Sequence, residues 1–428
     1  MKKHDIVYQE NFHKERQNMN KIEQAESILK KYNQNHIKIK TEEQAEQILE
    51  IDFAQLEELY QYAINKKNID DIGNIEPIKA INPDKLKKEE LNAYESLGEE
   101  EIKKGKFAVA IMAGGQGTRL GHNGPKGTFK LEINSKVKSL FEVIVDKLKE
   151  AQKKYNITLN CYIMTSPQNH EETKEFFEKA NYFGYPKQFI KFFKQGDLPL
   201  LNKEGKLLLD KKGLIQQASD GNGGIFHSMA KNGIIKELEQ KGIEWVFIGS
   251  VDNLLVKYVD TLLLGLAIKE KVKIATRTVI KNSPYEKVGV LCKKDGKIKV
   301  IEYTEIPENM RVAVNENGEI IYGEAHIMCN LYNIEAIKKA STKELKYHVA
   351  EKKLEYIDKT GKLIIPQEAN CYKFEKFIFD SFCLFDRIAI LRGKREEDFA
   401  PIKNASGKDS PETAKILYEN YMKKIHKI

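Results

Sequence analysis

A glycine-rich bend between residues 107 and 128, FAVAIMAGGQGTRLGHNGPKGT, constrains this chain more than any other stretch. Phe107 to Met112 is an unbroken apolar run between Lys106 and the bend. A run without polar alternation predicts a strand of a parallel sheet, buried on both faces. The strand empties into AGGQGTRLG and then PKG. Gly114, Gly115 and Gly117 carry no Cβ, so backbone N–H groups there can lie against a phosphate. Arg119 can fork onto phosphate oxygens, and Lys126 supplies a point charge.

Two commoner phosphate loops are excluded. A dinucleotide fingerprint needs a third glycine where this chain has Leu120. A P-loop needs Gly before its lysine and Ser or Thr after it; here Pro125 precedes Lys126 and Gly127 follows. What remains, G-G-x-G-T-R-L-G followed by P-K-G, resembles the signature of nucleotide-sugar pyrophosphorylases. The resemblance is to the UTP-using family that includes UDP-N-acetylglucosamine and UDP-glucose pyrophosphorylases.

The 428 residues are enough for two or three domains. Lys+Arg number 71 and Asp+Glu 63, a net charge of +8 spread along the chain. No basic arm or aromatic-basic motif points to nucleic acid. A mildly basic surface suits anionic small molecules. Cys161, Cys292, Cys329, Cys371 and Cys383 are odd in number, widely spaced and without C-x-x-C, so neither a disulfide framework nor a zinc site is expected. The first residues, MKKHDIVYQENFHKERQ, lack an apolar signal core, and no run reaches membrane-spanning length. The expectation is a cytoplasmic protein.

Residues 1–100 read as a helical N-terminal region packed on the catalytic domain. Ile22, Ala25, Ile28, Leu29 and Tyr32, then Ala45, Ile48, Leu49 and Phe53, recur at helical spacing. Asn82, Pro83 and Asp84 predict the start of a further helix. From 101 onward strands and helices alternate, which predicts an α/β sheet. A single helix is expected within 224–241, and a hairpin across Asp295-Gly296. The resemblance runs from about residue 106 to 418. It implies a Rossmann-like, GT-A-like nucleotidyltransferase domain over 101–380, a mixed sheet flanked by helices. Residues 381–428 would form a short C-terminal segment where longer members continue, so oligomer contacts carried there are not assumed and the oligomeric state stays open.

Beyond the bend, further residues carry candidate chemistry. Gln195 ends an apolar strand, and an amide can donate and accept at once, as a uracil edge requires. Gly221, Asn222, Gly223 and Gly224 make a second loop where backbone can approach a ligand. Asp252 follows the apolar run Trp245 to Gly249; a carboxylate at the end of a parallel strand faces the ligand crevice of an open α/β sheet. Mg²⁺ is commonly held by one or two carboxylates plus substrate phosphates.

The resemblance gives these positions roles. It places Met112, Ala113, Gly114, Gly115, Gly117 and Thr118 around the nucleotide, with Arg119 and Lys126 among the catalytic charges. It gives Gln195 the uracil, Gly221 the uridine and Asn222 the sugar. Asp252 becomes the Mg²⁺ position, and Glu302 with Tyr303 the sugar-contacting pair. It assigns Lys373 to the UTP phosphates and Lys403 to the sugar phosphate. His326 stands where N-acetylglucosamine members carry an asparagine that reads the sugar's amide. The implied reaction is Mg²⁺-dependent uridylyl transfer from UTP to a sugar 1-phosphate. N-acetylglucosamine 1-phosphate is the first choice, glucose or galactose 1-phosphate the alternative. A non-catalytic UDP-sugar sensor is the reading from another class, disfavoured because a sensor need not keep Asp252, Lys373 and Lys403.

Overall fold

A computed structural model describes residues 20–65 and 73–426. The leading stretch expected to lack a signal segment therefore lies outside the described residues. The chain divides into two compact units, each assembled from separated stretches of sequence.

The first unit takes its described residues from 20–65, 197–221 and 347–375. Its N-terminal part folds as α1 (Lys21–Lys31), α2 (Glu42–Leu49) and α3 (Phe53–Asn65). The Asn20 side chain accepts from the Glu23 N–H while Glu23 accepts from the Asn20 N–H, a reciprocal cap that starts α1. The helical spacing delivers Ala25, Leu29, Ala45, Ile48, Leu56 and Leu59 to one core with Leu201, Leu207, Ile215 and Phe374. Gln34, Gln44 and Gln47 donate to the carbonyls of Gly205, Gly213 and Ile215. These bonds satisfy loop backbone that the packing takes out of water.

The second unit takes its described residues from 73–196, 222–346 and 376–426. It is built on a ten-stranded mixed sheet. The strands are β1 (Ile75–Pro77), β2 (Phe107–Met112), β3 (Asn160–Thr165), β4 (Ile190–Lys194), β5 (Trp245–Ser250), β6 (Ile274–Ile280), β7 (Val290–Lys294), β8 (Lys297–Ile301), β9 (Glu324–Asn333) and β10 (Ala389–Arg392). One half is parallel, in the order β5-β2-β3-β4. In the other half β9 runs antiparallel to β5, β6 and β7, β8 and β1 flank β7, and β10 joins β6 in parallel. The expected mixed sheet flanked by helices is thus what the chain forms. The helices are α4 (Lys88–Lys103), α5 (Leu140–Tyr155), α6 (His170–Lys179), α7 (Ile225–Lys231), α8 (Ile234–Gln240), α9 (Thr261–Lys269), α10 (Ile334–Ser341) and α11 (Pro411–His426).

The β2 strand shows why its sequence admits no polar residue. Phe107, Val109 and Ile111 enter one core with Phe141, Val145 and Leu148 of α5. Ala108, Ala110 and Met112 enter the other with Ile225, Phe226 and Met229 of α7. Successive side chains point to opposite faces, and both faces are covered.

Two local expectations are adjusted, and one strand carries an irregularity. The helix expected within 224–241 is two, because Gly233 takes φ 70° and breaks the backbone between α7 and α8. Asn82 caps only a short turn, Pro83–Lys85, and α4 starts later at Lys88. The β9 strand carries a bulge: its register against β6 shifts between Thr276 and Thr278, and Met328 takes φ 58°. The hairpin across Asp295-Gly296 is present as expected, with φ 52° and 72° at the two turn residues and Lys294 paired to Lys297.

Candidate active site

Four parallel strands end along one edge of the sheet in the second unit. Met112 pairs with Met164 on one side and with Ser250 on the other. Thr165 pairs with Lys194. The chain continues this pattern one residue further: Ala113 N–H donates to the Met164 carbonyl at 2.8 Å and Gln195 N–H to the Thr165 carbonyl at 2.8 Å. The loops carrying Gly114–Gly117, Gln195 and Asp252 therefore leave the sheet side by side. This is the edge, with β2 flanked by strands on both sides, where open α/β sheets bind ligands.

The bend after β2 is shaped by bonds that consume its carbonyls. Lys126 N–H donates to Gly115 O at 3.0 Å, Gly117 N–H to Gly124 O at 2.9 Å, and Leu120 and His122 N–H groups to Gly117 O. Asn169, fully buried, donates from Nδ2 to the carbonyls of Ala113 at 3.1 Å and Gly115 at 3.4 Å. Its own Oδ1 accepts from Ser166 N–H at 2.9 Å. Among the described bonds these draw on the N–H of Gly117 but not on those of Gly114 and Gly115. Such donors suit an anion. Gln195 lies against the same bend, since a Cβ on Gly114 would come within 2.5 Å of its Oε1. Met112 and Ala113 are buried, whereas Thr118 and Arg119 are exposed. Among the described residues Arg119 forms no ion pair.

Asp252 and Lys126 meet here. Lys126 Nζ lies 2.9 Å from Asp252 Oδ2, and Ser250 Oγ donates to Asp252 Oδ1 at 2.6 Å. Burial pushes the Asp252 carboxyl up, but Lys126, the Ser250 hydroxyl and Lys403 together outweigh it and hold the group below the usual carboxylate range. It stays ionised at neutral pH. Lys403 arrives from the far end of the chain, where Ile402 N–H donates to the Asp252 carbonyl at 2.8 Å.

Other expected residues belong to different surroundings. Asn222 Oδ1 accepts from Ile378 N–H at 2.8 Å, so its carbonyl end is committed to backbone and its amide nitrogen is the end left for a ligand. Gly223 is needed there, because a Cβ would sit 2.7 Å from the Phe377 backbone. In the antiparallel half, Gly289 lies between two candidates: its carbonyl accepts from His326 N–H at 3.0 Å, and a Cβ on it would meet Glu302 Oε1 at 3.1 Å. Tyr303 keeps an exposed ring. The His326 ring is buried between Phe379 and Phe382, with Nε2 2.8 Å from Asn330 Oδ1. Burial drives its pKa down to about 4, so it is neutral. Gly221 and Lys373 belong to the first unit, where Lys373 Nζ pairs with Glu375 at 2.7 Å.

Sequence reading did not single out Asn169 or Ser250. Both look like ordinary turn residues in sequence, and their roles appear only in the bonds they make. The link between Lys126 and Asp252, drawn from loops far apart in sequence, was likewise invisible.

Among the described residues no group of three or more His, Cys, Asp or Glu side chains could hold a metal ion. A lone ionised carboxylate still fits Mg²⁺, which keeps waters and takes substrate phosphates as ligands. No helix of the described residues is long and apolar enough to cross a membrane.

Known proteins fit this arrangement. The family described as UTP–glucose-1-phosphate uridylyltransferase matches residues 52–410. UDP-N-acetylglucosamine pyrophosphorylase of Saccharomyces cerevisiae is 38% identical over 339 residues, 76% of this chain and 71% of that protein. UDP-N-acetylglucosamine diphosphorylase 2 of Arabidopsis thaliana is 34% identical over 369 residues, 80% of this chain and 72% of that one. The crystal structure of uridine diphosphate N-acetylglucosamine pyrophosphorylase from Trypanosoma brucei, in complex with an inhibitor, superposes with a TM-score of 0.81 at 27% identity. It covers 93% of this chain and 84% of its own. With its glycine bend, Asp252 and Lys403 gathered at one sheet edge and with the match running through all of them, the chain belongs to the UTP–glucose-1-phosphate uridylyltransferase family.

Proposed function

We propose that this protein is a uridylyltransferase that joins UTP to N-acetylglucosamine 1-phosphate, forming UDP-N-acetylglucosamine and pyrophosphate. The observation that carries the reading is the charge array at the edge of the parallel strands. The ionised Asp252, its partner Lys126 and the Lys403 segment stand beside a bend that keeps glycine N–H groups available. In the reaction an oxygen of the sugar phosphate attacks the α-phosphorus of UTP. The bond from that phosphorus to the bridging oxygen breaks, and pyrophosphate leaves with the electron pair. No covalent enzyme intermediate is needed.

The protein's task is then placement and neutralisation of charge. The Gly114–Gly117 backbone and Arg119 receive the triphosphate, and Gln195 reads the uracil. Lys403 steadies the incoming phosphate, with Glu302 and Tyr303 on the sugar hydroxyls. Lys126 balances Asp252 in the free protein and is placed to turn toward phosphate oxygens as negative charge gathers. Mg²⁺, held by Asp252 together with the substrate's own phosphates, would supply further positive charge to the triphosphate.

Pyrophosphate release from UTP with a panel of sugar 1-phosphates tests this. Turnover is expected to be fastest with N-acetylglucosamine 1-phosphate. A clear preference for glucose or galactose 1-phosphate would change the sugar, and no release with any of them would remove the enzymatic reading.

A further inference from the structure

Asp252 and Lys403 sit in segments remote in sequence, and the Asn253 side chain bonds the backbone of both. Asn253 is nearly fully buried, and its amide is in use at both ends. Its Oδ1 accepts from Ala400 N–H at 2.8 Å and from Leu255 N–H at 3.1 Å. Its Nδ2 donates to the Asp398 carbonyl at 2.8 Å. Around it the two segments pair like a short antiparallel ladder. Asn253 bridges Pro401, Leu254 N–H donates to Ala400 O at 3.1 Å, and Ile402 N–H donates to Asp252 O at 2.8 Å.

Both sides of this junction are anchored. Asp398 is buried, with Oδ1 3.0 Å from Lys257 Nζ and 3.7 Å from Arg277, which is itself paired to buried Asp260. The Asp252 loop is held from its other side by Lys147, whose Nζ donates to the carbonyls of Leu254 and, at 2.8 Å, Val256. Tyr258 donates to the Ser250 carbonyl at 2.8 Å. Lys147 and Tyr258 stay on the Asp252 side, whereas Lys257 crosses to Asp398 as an ion pair and Asn253 crosses by bonds to the backbone of the Lys403 segment. An amide of this length offers an acceptor to Ala400 and a donor to Asp398 together.

We propose that Asn253 is a positioning residue that registers the Asp252 loop on the Lys403 segment, so that the metal-side carboxylate and the cation for the incoming phosphate are set as one unit. The proposal rests on the uridylyltransferase reading. It predicts a selective defect, since the Lys403 side of the site moves while the glycine bend, held by Asn169, stays.

The test is steady-state kinetics on Asn253→Asp and Asn253→Ala, together with thermal midpoints and calorimetric UTP binding. Asn253→Asp keeps the shape but sets a carboxylate oxygen against the Asp398 carbonyl. Asn253→Ala removes both ends without adding charge. In at least the alanine variant, kcat/KM for the sugar phosphate should fall by about 10²-fold, the scale of a small misplacement at a reacting centre. The KM for UTP and calorimetric UTP binding should stay at wild-type values. Unchanged sugar-phosphate kinetics in a folded variant would overturn the proposal. So would equal losses toward both substrates that track a lowered midpoint, and so would an alanine variant too unstable to purify, since that makes Asn253 a structural residue. Wild-type protein in the same assay separates the two claims: active wild type with unaffected variants refutes only the role of Asn253, whereas inactive wild type refutes the reading beneath it.

Discussion

The two halves of the sheet in the second unit are built on different physics. The parallel half ends in charge and backbone: the glycine bend, the Lys126–Asp252 pair, and loops pinned by Asn169, Asn253 and Lys147. The antiparallel half carries the buried, uncharged His326 among phenylalanines, the Glu302 side chain against Gly289, and a bulge in β9 at Met328. The first half suits a polyanion whose charge changes during reaction. The second suits a polyol whose identity must be read. The proposed function therefore assigns chemistry to one half and selectivity to the other, and substitutions in the two halves should fail differently.

The largest effect is expected at Asp252. Asp252→Asn removes the carboxylate proposed to hold the metal, and turnover should be lost at every Mg²⁺ concentration. A variant with an unchanged Mg²⁺ response would clear this residue of that role. Next come Arg119→Ala and Lys126→Ala, each expected to cost several kcal/mol of transition-state stabilisation, against about 2.7–4 kcal/mol for loss of a single oxyanion donor. They should lower kcat with any sugar phosphate, and near-normal kcat in both would mean the bend does not hold the reacting phosphates.

In the antiparallel half, Glu302→Ala should raise the KM for the sugar phosphate and leave that for UTP alone. The cost is about 1–3 kcal/mol, that of leaving bound hydroxyls without their partner. An equal rise for UTP would erase the division between the halves.

A last effect falls on stability rather than on turnover. Burial drives the Lys147 pKa down to about 7, with Tyr258 and Tyr418 rings, the Cys329 thiol, Glu150 and Lys257 around it. Between that value and the ordinary lysine range the unfolded chain binds more protons than the folded one. Stability should therefore rise with pH across this window, and the penalty is fully present below it. Comparing denaturation midpoints of wild type and Lys147→Met from pH 7 to 10, the wild type should gain relative to the variant. Parallel curves would show that the lysine is not buried as described.

How much of this was legible in the sequence differs by the same division. An apolar run ending in glycines has few structural solutions, so β2 and its bend could be read from residue types alone. The β5 strand and Asp252 could be read for the same reason. The break at Gly233 was missed because helical spacing continues across it, and only the left-handed backbone shows the interruption. The positioning amides were missed because Asn169 and Asn253 act through buried bonds to distant backbone, which no local pattern records. His326 could be seen as a departure, but not that it would be buried and neutral, since that depends on Phe379 and Phe382 closing over it from another segment.

On the proposed function, the bend after β2 receives the triphosphate at the shared edge of the parallel strands. A crystal structure with UTP bound tests it most directly. Phosphate oxygens are expected within hydrogen-bond reach of the Gly114 and Gly115 N–H groups, with uracil against Gln195. Nucleotide lodged away from that bend, in protein that still turns over UTP, would contradict it.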